Sequence, residues 1–359
     1  MIRGENIVEN LIVLGIELLS LWEIYQELNS LLDKRLKVGI VGEITLIKFI
    51  QGNCIDKIKE LDNNSIDCVV SSPPYFGLRD YGVDGQFGLE KTYQDYIANT
   101  VKVFETFKHK LKDTATIWWN VGDSYASNGV YIHNWYKKEK NKDKKHLHTK
   151  NRDRYKDRKA YRDEIIKAKD LLMIPNRVAI ALQEAGWWIR SEIIWHKPNP
   201  MPESTKDRPT SAHEKIWLIT KSRKYYYDAD AIKEDAAWDR WGKQTHIKDK
   251  VGKAKLSKDR AKEEIQKLGN GKRNKRNVWT VTTKPCKEAH FATFPKDLIE
   301  PCIKAGCPEN GIVLDPFGGS GTTGIVAKSL NRKSIMIELN PEYIKIAKKR
   351  IEKELGLFG

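Results

Sequence analysis

Gly311-Ile-Val-Leu-Asp315-Pro316-Phe317-Gly318-Gly319-Ser320-Gly321-Thr322-Thr323 runs from an apolar strand through a glycine-rich turn into the start of a helix. Glycine lets a backbone turn tightly and approach a ligand closely, and a helix start offers free N–H groups. Glu338 closes the next apolar run, 23 residues after Asp315. An acidic side chain at about that spacing, roughly 20 residues, reaches ribose hydroxyls in nucleotide-binding βαβ units. The turn lacks the Gly-Lys-Ser/Thr ending of a phosphate-gripping loop. A nucleoside cofactor without phosphates fits better. S-adenosylmethionine, an adenosine with a charged amino-acid tail, is the expected ligand.

Upstream, Ser65-Ile-Asp-Cys-Val-Val-Ser71-Ser72-Pro73-Pro74-Tyr75 ends a second buried strand in a stiff, polar, aromatic turn. Prolines in series fix the backbone and leave the carbonyls before them without local N–H partners. Ser72 and the Pro73 carbonyl then become aimed acceptors, and Tyr75 a flat apolar surface. All stand at the carboxyl edge of the sheet, where ligands of open α/β sheets sit.

Methyl transfer to an exocyclic amine needs this set. The nitrogen's lone pair is delocalised into the base ring, so the amine is a poor nucleophile. Two acceptors drawing on its hydrogens pull it toward tetrahedral geometry and return the lone pair, provided they are preorganised. An aromatic face holds the base by stacking, worth about 1–3 kcal/mol.

Outward from these turns, strands and helices alternate. Strands are expected at 46–49, 66–70, 116–121, 187–195, 214–220, 312–315 and 334–338. Helices are expected at 54–61, 93–111, 171–185 and 296–305, then from Thr322 and from Pro341. Such alternation predicts an α/β fold, a mostly parallel twisted sheet with helices on both faces. Residues 5–33 read as one amphipathic helix with an apolar seam at Ile7, Leu11, Leu14, Leu18, Leu21, Tyr25, Leu28 and Leu32. That seam leaves intramolecular packing and a homodimer equally open for residues 1–44.

Of the 359 residues, 64 are Lys or Arg and 48 Asp or Glu, a net charge of +16. Segment 136–170 carries 15 basic against 7 acidic residues, and 243–276 carries 13 against 4. These two insertions hold the whole excess, which points to a polyanion rather than to general solubility. The five cysteines have no framework spacing, which suits a reducing cytosol. Cys286, His290, Cys302 and Cys307 are too loosely spaced for a zinc site, so no metal is expected. No apolar stretch is long enough to span a bilayer, so no membrane partner is expected.

Ser72-Pro73-Pro74-Tyr75 followed by Asp315-Pro316-Phe317-Gly318-Gly319-Ser320-Gly321 resembles the amino-methylating DNA methyltransferases, in the β arrangement that puts the catalytic motif before the cofactor motif. Ile117–Asp123, Ile193–Lys197, His213-Glu214 and His290–Pro295 match further blocks, so the resemblance covers most of 45–355. One departure is Asn53, where many relatives carry an aspartate.

The resemblance implies a Rossmann-like methyltransferase fold with Ser72, Pro73, Pro74 and Tyr75 at the catalytic position and the base flipped from the duplex. It implies cofactor contacts from Asp315, Phe317, Gly319, Gly321, Thr322, Glu338 and Asn340, and from Thr293, Phe294 and Pro295. A serine at the first catalytic position goes mostly with cytosine N4 in this family, an aspartate with adenine N6. Adenine N6 is the alternative, and a catalytically inactive DNA-binding protein of this fold the reading from another class.

The catalytic domain is assigned to 45–227 and 281–359, and target recognition to 228–280, where Trp238, Trp241 and Trp279 interleave with charge. Lys272, Arg273, Lys275 and Arg276, with Arg152, Arg154 and Arg158 of the other insertion, are the candidate contacts to double-stranded DNA. The resemblance places such a protein in a prokaryotic cytoplasm, nucleoid-associated or phage-encoded. It acts alone or beside a separately encoded restriction endonuclease.

Overall fold

Buried apolar runs of the sequence become the middle strands of one sheet. The computed structural model describes residues 47–78, 80–126, 165–235, 272–283 and 294–354. The predicted 5–33 helix, Arg152, Arg154, Arg158, Trp238, Trp241, Cys286, His290 and Thr293 lie outside the described residues.

In chain order come β1 (Ile47–Gln51), α1 (Cys54–Lys59), β2 (Ile66–Ser71), α2 (Tyr93–Phe107) and β3 (Leu111–Val121). Then follow α3 (Ile174–Glu184), β4 (Trp188–His196), β5 (His213–Thr220), a 3-10 turn at Asp230–Ile232, β6 (Glu234–Asp235), β7 (Lys272–Arg273) and β8 (Val278–Thr280). The last are α4 (Lys296–Gly306), β9 (Ile312–Asp315), α5 (Thr322–Ser329), β10 (Lys333–Glu338) and α6 (Pro341–Glu354). The main sheet has eight strands in the order β1-β10-β9-β2-β3-β5-β4-β8, and β6 pairs with β7 in a separate ribbon.

β10, β9, β2 and β3 run parallel. β5 is antiparallel to both β3 and β4. The reason lies in the connections: helices cross over between the parallel strands, whereas 197–212 joins β4 to β5 without one, and only antiparallel neighbours can dispense with a crossover.

Alternation along the strands divides the core into two layers. Ile117, Trp119 and Val121 of β3, Trp217 and Ile219 of β5 and Leu314 of β9 pack with Phe104 and Phe107 of α2 and Val178 and Leu182 of α3. Trp118, Ile216, Leu218 and Val313 face the other way, onto Leu298, Ile299 and Ile303 of α4 and Val326 of α5. Helices therefore cover both faces, as expected. Among the described residues no helix is long and apolar enough to cross a membrane.

Most element ends fall within three residues of expectation, and two assignments change in kind. α2 stops at Phe107, and Leu111, assigned to that helix, starts β3 instead because it pairs with Ile66 of β2. β8, assigned to target recognition, pairs in parallel with β4 and is an edge of the main sheet. Trp279 on it is a core residue, 6% exposed, donating its indole N–H to the Arg276 carbonyl at 2.7 Å.

β2 and β9 are neighbours in register Cys68↔Val313 and Val69↔Leu314, so their carboxyl ends meet. There Ser71 Oγ donates to Asp315 Oδ1 at 2.6 Å, Thr323 Oγ1 donates to Oδ2 at 2.6 Å, and the Phe317 N–H reaches Oδ1 at 3.1 Å. Asp315 is 2% exposed. Burial pushes its carboxyl up to about 6, outweighing the three hydrogen bonds that pull the other way.

A carboxyl raised in the folded state stabilises the fold in its protonated form, and that contribution is lost as pH rises through about 6. Asp315→Asn removes the titration. Raising the pH from 5 to 8 is expected to lower the stability of wild type relative to Asp315→Asn by about 1 kcal/mol, measured by urea unfolding. A difference that does not change with pH would show that Asp315 is charged throughout.

Candidate active site

Parallel strands deliver their carboxyl ends to one edge of a sheet, and an antiparallel neighbour delivers its amino end there. The Ser72–Tyr75 turn follows β2, Asn120 lies near the end of β3, Lys197 follows β4, and the glycine turn follows β9. Glu338 ends β10, and Glu214, second residue of the reversed strand β5, faces the end of β3. Pieces separated by more than 200 residues thus share one edge.

The catalytic turn is held by a directed chain of hydrogen bonds. Ser72 Oγ donates to Tyr75 Oη at 3.2 Å, and Tyr75 Oη donates to Glu214 Oε2 at 2.6 Å. Asn120 Oδ1 lies 3.0 Å from the same hydroxyl, its amide fixed by donation to the Lys215 carbonyl at 3.2 Å. Lys197 Nζ pairs with the other oxygen of Glu214 and stands 4.4 Å over the Trp195 ring. Burial, then the Glu214 charge, raise the Tyr75 hydroxyl well above its usual range, so it remains a donor.

The Pro74 carbonyl accepts from Tyr96 Oη at 3.2 Å. No such bond reaches the Pro73 carbonyl among the described residues. A Cβ on Gly122 would lie 2.5 Å from Tyr75 Cε2, so only glycine lets the ring settle against the end of β3. Asn120, Gly122 and Glu214 were not among the sequence candidates. Two signals were available: Ile117–Asp123 and His213-Glu214 lie in blocks that resemble the family, and Asn120 is polar inside the apolar run Ile117–Val121, where a buried polar side chain needs a partner.

The glycine turn takes backbone angles that side chains resist: φ is 49° at Gly319 and 79° at Gly321. Glu338 Oε2 accepts from the Gly319 N–H and Oε1 from the Asn340 N–H, both at 2.8 Å. Burial raises its carboxyl nonetheless. Each oxygen keeps a lone pair for a further donor such as a ribose hydroxyl. The Phe317 ring packs on Phe87 at 5.3 Å and Trp119 at 6.0 Å.

Beneath the turn, the buried Arg350 of α6 donates to Ser320 Oγ at 2.9 Å and Thr322 Oγ1 at 2.8 Å. Three expected cofactor contacts are therefore used inside the protein. Thr322 is 4% exposed on Arg350, Asp315 ties the turn to β2, and Asn340 Oδ1 caps α6 by accepting from the Glu342 N–H at 2.9 Å. Phe294 is half-buried against the second core layer, and Pro295 stands at the start of α4. Asn53, where the resemblance breaks, caps α1 by accepting from the Ile55 N–H at 2.9 Å. Gly319, Glu338 and Phe317 are the expected cofactor contacts left part-exposed on the turn, and 315–323 holds no Lys or Arg to meet a phosphate.

The candidate DNA contacts are partly neutralised. Lys272 pairs with Asp235 at 2.8 Å, and Arg273 and Arg276 share Glu234 at 2.9 and 2.6 Å. Lys275 stands 5.2 Å over the Trp279 ring. Counting charge along 243–276 missed acidic partners that folding brings from 234–235. Cys302 and Cys307, weighed as zinc ligands, are free buried thiols of the second core layer.

Comparison with known proteins gives a consistent result. The profile of a DNA methylase family, the N6/N4 methyltransferases, matches residues 66–349. The Type II methyltransferase M.Cfr9I of Citrobacter freundii is 41% identical over 312 residues, 87% of this chain and 90% of that protein. Among solved structures, the PvuII DNA methyltransferase (cytosine-N4-specific) superposes with a TM-score of 0.55 at 18% identity, over 85% of this chain and 88% of that one. TTHA0409 of Thermus thermophilus, solved in complex with S-adenosyl-L-methionine, does so at 0.51 and 20% identity, over 87% and 97%. The chain has the Rossmann-like methyltransferase fold and belongs to the N6/N4 DNA methylase family.

Proposed function

We propose that this DNA methyltransferase moves the methyl group of S-adenosylmethionine to the N4 amino nitrogen of a cytosine flipped out of duplex DNA. The observation that carries the reading is the chain Ser72–Tyr75–Glu214. Each hydroxyl in it donates along the chain toward the carboxylate. The lone pairs of Ser72 Oγ are left for an incoming amine, with the Pro73 carbonyl as the second acceptor. Two such oxygens draw the amine hydrogens aside and restore the nitrogen lone pair. Because their geometry is fixed beforehand by two prolines and by Glu214, the stabilisation costs no reorganisation at the moment of reaction.

S-adenosylmethionine supplies an activated methyl on a sulfonium, which no side chain of the protein provides. Phe317, Gly319 and Glu338 are the residues that would hold it: ring, close backbone and ribose acceptor. Ser71 and Asp315 keep their turn beside the catalytic one, so the transfer becomes effectively unimolecular. A neutral serine at the first catalytic position supports cytosine over adenine. Likeness to a Type II methyltransferase supports a role as the modifying half of a restriction pair, with the endonuclease encoded separately.

The direct test is product identity. Incubation with labelled cofactor and mixed-sequence duplex DNA, digestion to nucleosides and mass analysis are expected to yield N4-methylcytidine as its deoxynucleoside. N6-methyladenine would move the assignment to the other amine. Ser72→Ala and Gly122→Ala are each expected to slow transfer by about 10²–10³-fold while cofactor affinity stays within about threefold. The first loses an acceptor and the second displaces the Tyr75 ring. Near wild-type turnover in either variant would detach that turn from the chemistry. Glu338→Ala is expected to weaken cofactor binding by about ten- to a hundredfold in calorimetry, because charge-assisted hydrogen bonds are lost. An unchanged affinity would remove Glu338 from the site.

A further inference from the structure

The connection between β4 and β5 reads Lys197-Pro198-Asn199-Pro200-Met201-Pro202-Glu203 at its start. Prolines at every second position hold φ near −65° and push the residue before each toward extended backbone. Such a segment is stiff without belonging to any sheet. The loop is also braced on both sides of Met201. Asn199 exchanges two hydrogen bonds with the backbone of Thr283, at 3.2 and 3.0 Å. Glu203 pairs with Arg208 at 2.6 Å, and the Arg208 guanidinium lies 3.8 Å over the Tyr125 ring. Its neck is closed by the Lys197 N–H on the Ala212 carbonyl at 2.8 Å.

Between these anchors Met201 is 85% exposed, the most exposed large apolar side chain among the described residues. A loop that merely connected two strands would gain by laying that side chain down, since burying it removes apolar surface from water. Stiffening and bracing instead hold it out. The neck adjoins the site: Lys197 pairs with Glu214, the carboxylate that holds Tyr75. Met201 lies four residues from Lys197, within about 14 Å of the neck for an extended chain.

On the DNA-methylating reading proposed above, we propose that Met201 enters the duplex and occupies the stacking place of the extruded base. Extrusion leaves a gap between neighbouring base pairs and costs their stacking and pairing. Apolar side chains, methionine and proline among them, are suited to fill such gaps as wedges. Met201 would thus recover part of the cost of extrusion while Tyr75 holds the extruded base, and it would touch neither cofactor nor amine. It is a positioning residue.

The test uses full-length wild type, Met201→Ala and Met201→Leu on two duplexes carrying the enzyme's own site, identified by sequencing its methylated DNA. One duplex is fully paired. The other has an abasic site opposite the target, so that extrusion is already cheap. Met201→Ala is expected to lose about ten- to a hundredfold in kcat/KM on the paired duplex, the range that follows from burying one large apolar side chain. On the abasic duplex it is expected to return to within about threefold of wild type. Met201→Leu keeps the apolar bulk and is expected to stay within about threefold on both. Equal losses on the two duplexes, or no loss on the paired one, would overturn the proposal. Wild type that left DNA unmethylated would remove the reading it rests on, and the proposal with it.

Discussion

Ser71 and Asp315 are separated by 243 residues of intervening chain and joined by one 2.6 Å hydrogen bond. That contact exists because β2 and β9 are parallel neighbours in the middle of the sheet, and parallel neighbours finish at the same edge. Residue 71 is the last before the catalytic turn, and residue 315 the last before the glycine turn. Fixing one to the other fixes the two turns side by side. The carboxylate carries a cost for this, since burial raises its pKa, and three donors offset the cost only in part. The rest of the site is arranged around that join: Glu338 cradles the glycine turn from β10, and Glu214 cradles Tyr75 from β5.

On the proposed reading the chemistry depends on fixed acceptors at the reacting amine. Glu214 is partly buried, and Lys197 beside it forms an ion pair with it. The pair keeps one carboxylate oxygen available to orient Tyr75. Charge compensation of this kind matters where the environment is less polar than water, because an unpaired carboxylate there would be expensive. Ser72 then needs no ionisation of its own to act.

Much of this was legible in the sequence, for a physical reason. β2, β9 and β10 are buried on both faces, so they appear as short apolar runs, and the turns after them carry the glycines and prolines that buried strands exclude. The glycine turn excludes only a phosphate-gripping loop: Gly319, Gly321 and Gly324 keep the spacing of a dinucleotide turn, so the phosphate-free ligand expected from the sequence did not follow from the glycines alone. What could not be read were partnerships made by folding. Glu214 reaches Tyr75 because β5 runs backward, a direction set by the missing crossover helix after β4. Glu234 reaches Arg273 and Arg276 through a two-residue ribbon too short to leave a periodic signal. Thr322 and Asp315 carry residue types suited to a ligand, and their burial and their bonds to Arg350, Ser71 and Thr323 are partnerships that only folding reveals.

On the proposed reading the glycine turn and the Ser72–Tyr75 turn, joined by the Ser71–Asp315 bond, take the cofactor and the base side by side. A crystal structure with S-adenosylhomocysteine measures this most directly. The adenosine is expected against Phe317 with its ribose on Glu338, and the sulfur directed at the space beside Ser72 Oγ and the Pro73 carbonyl. A ligand bound with its sulfur facing away from that turn, or bound elsewhere on the protein, would contradict it.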